Sequence, residues 1–131
     1  MRMIFVNLPV KDLDASKAFF GKLGFTFNPQ FTDETAACMV ISDNIFAMLL
    51  TEPKFQSFIV GDIAAKDSTE VLVALSCETR AEVEDLTARA KAAGATAWRP
   101  DQDYGFMYGT SFRDLDGHVW ELIWMDPANV H

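Results

Sequence analysis

The chain has 131 residues, half of them apolar and 12% aromatic, enough to pack one core and too few for two enzyme domains of ordinary size. It carries 11 Lys and Arg against 19 Asp and Glu, a formal charge of −8, whereas a binder of phosphate backbones needs the opposite balance. No nucleic-acid partner is expected, and because no apolar run approaches the roughly 20 residues of a spanning helix, neither is a membrane; the expected location is cytoplasmic.

In chain order, residues 4–10 form an apolar run that reads as a strand, with Pro9 and Lys11 at its end. Asp12 follows as an N-cap, and Leu13, Ser16, Phe20 and Leu23 recur at helical spacing before Gly24 supplies a stop. Residues 25–31, 35–41 and 45–50 read as three short strands, the last two joined by a turn at Ser42-Asp43-Asn44. Residues 52–61 read as a short connecting helix, with Pro53 near its start and Phe55, Phe58 and Ile59 on one buried side. The pattern then repeats. Residues 71–77 are strand-like, Thr79 and Glu82 form a capping box, and Val83, Leu86, Ala90 and Ala93 make the apolar stripe of a helix that Gly94 ends. Residues 96–99, 106–113 and 118–124 complete the second set, with Asp114-Leu115-Asp116-Gly117 as the hairpin turn. Cys38 and Cys77 lie within apolar runs and are expected as buried, reduced thiols.

The fold class is therefore α+β: two βαβββ modules, residues 1–51 and 62–131, joined by the helix at 52–61 within one duplicated domain. The opening "VNLPVKDLDASKAFFGKLGF" and the closing "SFRDLDGHVWEL" resemble the corresponding segments of the vicinal oxygen chelate superfamily, the glyoxalase I, bleomycin-resistance protein and extradiol dioxygenase group. The resemblance spans nearly the whole chain. It implies curled mixed sheets around a cavity, usually in a homodimer.

In the metal-dependent members, as the resemblance implies, His and Glu ligands sit on the cavity face of the first and last strands of each module. The first position, seven residues before the helix-opening Asp, is Phe5 here. The second falls at or beside Met48 and the third at Leu72; only the fourth, Glu121, keeps a donor. One carboxylate cannot hold Zn, Ni, Mn or Fe in a defined open site, which takes three or more protein N or O ligands. No metal and no other cofactor is expected. His118 is three residues from Glu121, so on a strand the two face opposite sides; His131 ends the chain and is expected to fray.

Glu121 alternates with Val119 and Ile123, so it faces the side of two apolar residues. It is either an anchor for a ligand or a glutamate satisfied by backbone amides or by an arginine such as Arg113 or Arg99. Asn7 shares the Phe5 face by alternation and could orient a ligand or cap a turn. Ser76 is a second small polar group on the Leu72 side, with no His base to make it a nucleophile. The segment 101–109 is rich in Gly and aromatic residues; Phe106 and Tyr108, with Trp98 nearby, offer flat apolar contact or plain core. Asp114 and Asp116 lack the ligand series of a calcium loop and read as turn residues.

The expected function is a metal-free protein that binds a small aromatic or cationic molecule through Phe5, Asn7, Met48, Leu72, Ser76, Trp98, Phe106, Tyr108 and Glu121. The acidic balance favours a cation. The alternative is a glyoxalase-type lyase, isomerase or dioxygenase with a non-standard site. Fold does not fix chemistry, and the balance of residues leans away from an enzyme.

Overall fold

Each half of the sequence folds around a parallel pair of strands that are distant along the chain. The computed structural model describes residues 2–129, so His131 lies outside the described residues. Two compact units emerge, Met1–Ala65 and Lys66–His131.

In the first unit, β1 (Ile4–Val10) runs parallel to β4 (Ile45–Thr51), with Phe5 beside Phe46 and Asn7 beside Met48. A parallel pair needs a long crossover, which α1 (Leu13–Lys22), β2 (Thr26–Asn28) and β3 (Ala36–Ser42) supply. The sheet order is β1-β4-β3-β2. Asp12 starts α1 by accepting the Ala15 N–H at 3.1 Å. Gly24, at φ 101°, turns the chain back toward β2 in a conformation that side-chain-bearing residues rarely adopt. Leu13, Ser16, Phe19 and Phe20 are buried on the sheet-facing stripe, and α1 packs on β3 and β4. Leu8, Val10, Ala37, Met39 and Leu49 complete this core.

Two expectations change here. The strand expected at residues 25–31 stops at Asn28, because Pro29 opens a 3-10 turn, Pro29–Phe31, in which the Asn28 side chain accepts the Gln30 N–H at 2.9 Å. The connecting helix, α2 (Glu52–Phe58), is shorter than residues 52–61, since Ile59 is extended at φ −111° and ψ 163°. Nor is its apolar side buried: Phe58 is exposed and only Phe55 and Ile59 are half-buried.

In the second unit, β5 (Leu72–Cys77) runs parallel to β8 (Val119–Met125), and α3 (Arg80–Ala92) crosses between them. The order is β5-β8-β7-β6, with β6 (Gln102–Asp103) and β7 (Met107–Arg113) antiparallel. The capping box forms: Thr79 Oγ1 accepts the Glu82 N–H at 3.0 Å, and Glu82 Oε1 reaches back to the Glu78 N–H at 2.8 Å. Val83, Thr87 and Ala90 are buried where α3 meets β7 and β8. Thr87 was not expected in the stripe; its hydroxyl bonds the Val83 carbonyl at 2.6 Å and Thr110 Oγ1 at 2.7 Å, which removes the cost of burying it.

The strand expected at residues 96–99 is absent. Thr96 makes a single bridge to Arg113, and pairing resumes only at Gln102 opposite Gly109. Residues 97–101 therefore stand against only 110–112 of β7 as an unpaired bulge, and Pro100 has no N–H to offer a ladder. Both cysteines are free and buried, and burial, aided by Glu82, pushes the Cys77 thiol up to about 11. No helix among the described residues is long and apolar enough to cross a membrane.

Candidate functional site

Strand alternation sorts the expected site residues by face. In the first unit Phe5, Asn7 and Met48 do share one face. The Phe5 and Phe46 rings stack at 5.0 Å with planes 14° apart, and Phe5 keeps 47% of its surface exposed. Asn7 stands beside Met48 in the register, exposed, with only a long bond of 3.4 Å from its Nδ2 to the Phe5 carbonyl. Its amide is available to a ligand.

In the second unit Leu72, Ala74 and Ser76 of β5 line up with Val119, Glu121 and Ile123 of β8. Leu72 is 44% exposed and Ser76 is exposed. The two units share one geometry: Met48 lies opposite Asn7, two residues after Phe5, as Glu121 lies opposite Ala74, two residues after Leu72. Across the hairpin, Ser111 stands directly opposite Glu121. The Arg99 guanidinium reaches from the bulged edge segment to pair with Glu121 through Nη2 and Oε2, and its centre lies 5.0 Å from the Trp98 ring. Trp98 thus joins Glu121 through Arg99. Glu121 is only 8% exposed, so an unpaired carboxylate there would be costly, and Arg99 is one of the two arginines offered as examples in the sequence reading.

Tyr108 does not join this group. It pairs with Trp124, on the α3 side of the sheet, and the Arg80 guanidinium lies 4.4 Å above its ring while bonding Asp103 at 2.6 Å. Phe106 sits in the turn before β7, exposed and stacked at 6.4 Å with Tyr104. Two surface grooves, one of about 560 Å³ beside Asp12 and Glu34 and one of about 400 Å³ beside Lys66 and Arg113, include none of the expected ligand-binding residues.

Sequence reasoning passed over Ser111 and missed the partners of Asp114 and His118. Ser111 is 4% exposed, and among the described residues its Oγ has no hydrogen-bond partner; counting back from Glu121 across the four-residue turn read from the sequence would have put Thr110 there, and the observed register, Arg113 opposite Val119, brings Ser111 instead. Asp114, read as a turn residue, is buried: Oδ1 accepts the N–H groups of Asp116 and His118 at 2.9 and 3.0 Å, and Oδ2 accepts the Trp120 indole N–H at 2.9 Å. His118, buried and on the other side of the strand from Glu121, holds Glu70 Oε1 at 2.5 Å through Nδ1.

The metal that the resemblance implies does not fit these residues. Phe5, Met48 and Leu72 offer no oxygen or nitrogen donor, Glu121 is engaged by a guanidinium, and among the described residues no three His, Cys, Asp or Glu side chains cluster.

The first 41 residues after Met1, residues 2–42, match the model of the bleomycin resistance protein-like N-terminal family. No curated protein sequence matches the chain. Among solved structures, a hypothetical protein of S. aureus is 28% identical with a TM-score of 0.80, covering 95% of this chain and 94% of that one. A glyoxalase/bleomycin resistance protein/dioxygenase family enzyme of Burkholderia phytofirmans is 16% identical with a TM-score of 0.81, over 95% and 99% of the two chains. The fosfomycin resistance protein FosX of Listeria monocytogenes is 19% identical with a TM-score of 0.67, over 95% and 93%. With a βαβββ arrangement in each unit, the chain has the fold of these glyoxalase/bleomycin resistance protein/dioxygenase structures, and its residues 2–42 are similar to the bleomycin resistance protein-like N-terminal family.

Proposed function

We propose that the protein is a metal-free member of the vicinal oxygen chelate superfamily that binds a small molecule. The observation that carries this reading is the fate of the four ligand positions: Phe5, Met48 and Leu72 are apolar, and Glu121 is held by Arg99. Faces that would surround a metal are instead surfaced with ring and aliphatic carbon, which suits an aromatic compound. Arg99 already supplies the cation at Glu121, so the support for a cationic ligand is reduced to the net charge of −8. Purified protein is expected to contain no stoichiometric Zn, Ni, Mn or Fe and to melt at the same temperature with and without EDTA, since only a bound metal adds stability by mass action. One equivalent of metal, with a melting point that falls on chelation, would overturn it. Mass spectrometry of the native protein for a co-purified organic compound tests the binding itself.

A homodimer is part of the same proposal. Ile4 and Phe5 on β1 and Leu72 on β5 are about half exposed, and β1 and β5 are the edge strands of their sheets. Exposed apolar edges invite a two-fold partner. Sedimentation at micromolar concentration is expected to return a dimer; a monomer across that range would contradict it.

A further inference from the structure

The charge of Glu121 is already matched within its own unit. By register, β5 and β8 place Glu121 beside Ala74 on one face of the sheet, and the edge segment brings the Arg99 guanidinium onto it. The demand of Glu121 for a cation is already met. Arg99 nevertheless has capacity left: a guanidinium carries five N–H donors in a planar fork, the Glu121 bond is made through Nη2, and the side chain is 38% exposed.

We infer that this face binds the carboxylate of a small organic acid, with Arg99 as its receptor. The inference deepens the small-molecule reading and rests on it. A carboxylate matches the guanidinium fork with two parallel bonds, which an ammonium or a neutral amide cannot do. Trp98 beneath Arg99 steadies the plane of the guanidinium, and the exposed Leu72, one register row from Ala74 and Glu121, offers apolar surface to the rest of the acid. Ser111 gives a second, independent pointer. Its hydroxyl is buried and, among the described residues, unpartnered, and it stands directly opposite Glu121. When a ligand carboxylate draws Nη2 away, the Ser111 O–H can donate to the released Glu121 oxygen. The exchange then leaves neither carboxylate without a donor, and it satisfies a hydroxyl that otherwise has no partner among the described residues. The net charge of −8 repels anions at long range, so affinity comes from these contacts and not from steering.

Calorimetric titration of the purified chain at pH 7 with benzoate, benzamide and benzylamine tests the inference, because the three differ chiefly in the charge and geometry of the polar group. Benzoate is expected to bind saturably and at least about tenfold more tightly than the other two, a margin of ~1.4 kcal/mol. In Arg99→Gln, benzoate should fall to the level of benzamide. Ser111→Ala should weaken benzoate several-fold without lowering the melting point, which a merely structural serine would not do. Melting curves of Arg99→Gln and of the paired Arg99→Gln/Glu121→Gln variant establish that the face remains folded. Benzamide or benzylamine binding as well as benzoate would overturn the carboxylate site while leaving the small-molecule reading standing. Benzoate binding that survives Arg99→Gln, or no binding of any of the three, would also overturn it; the search for a co-purified compound then judges the broader reading separately.

Discussion

Replacing Asp114 by alanine is expected to destabilise the second unit by roughly 3–5 kcal/mol, a large part of the 5–15 kcal/mol typical of a whole domain. The carboxylate accepts three N–H groups, from Asp116, His118 and the Trp120 indole, and Trp120 is only 1% exposed. Removing the acceptor strands buried donors that water cannot reach, and it loosens the turn whose geometry sets the β7–β8 register. Asp114→Asn keeps the shape but turns one acceptor into a donor, so a loss of about 1.5–3 kcal/mol is expected. Chemical denaturation at pH 7 measures both. The pH dependence adds a sign. Burial is the largest influence on Asp114 and raises its carboxyl above the usual 3.8, overriding His118 and the three N–H donors, which lower it. The native chain therefore takes up this proton at a higher pH than the unfolded chain. The resulting stability is fully present below 3.8 and is lost as pH rises through the raised value. The gap between wild type and Asp114→Asn is thus expected to widen as pH falls from 7, and a gap that narrows on acidification would contradict this assignment.

The second large effect is expected at Arg99. Arg99→Ala leaves the Glu121 carboxylate nearly buried without its cation, and a loss of about 1–3 kcal/mol follows, discounted from the cost of a fully buried pair because Arg99 is partly exposed. Changing both groups, Arg99→Ala with Glu121→Leu, removes the stranded charge and is expected to restore most of that loss. A double-mutant cycle therefore gives a clear coupling energy. Additive losses would show that Glu121 is satisfied by some other group and that Arg99 is incidental to it.

The repeat was legible because its markers are local. Asp12 and Gly24 bracket α1, and Thr79, Glu82 and Gly94 bracket α3; capping and left-handed stops depend on a few adjacent residues and act the same way wherever the helix packs. The chemistry of Phe5, Met48 and Leu72 was legible for a related reason, since no fold can make these side chains donate a lone pair to zinc. Alternation placed Glu121 on an apolar side, and backbone amides or an arginine such as Arg99 or Arg113 were its possible partners. It could not choose between them. The choice depends on the bulge at residues 97–101, where a bridge at Thr96 and renewed pairing at Gln102 leave surplus chain to fold toward β8, and the pattern of apolar residues there read as a plain strand.

What the amino-acid order determines by itself is thus the α+β duplication, the ends of α1 and α3 and the buried thiols, all consequences of side-chain chemistry and short-range periodicity. What only the tertiary structure decides is which distant groups meet. Parallel pairing sets Glu121 beside Ala74, 47 residues away, and hairpin register sets it opposite Ser111. The folded turn makes Asp114 a buried acceptor for Trp120. The same register sends Tyr108 to the α3 side, away from Glu121. Alternation within a strand says which residues share a face, but the partner strand and its offset are set by packing across the sheet, and a one-residue shift would have exchanged every one of these neighbours.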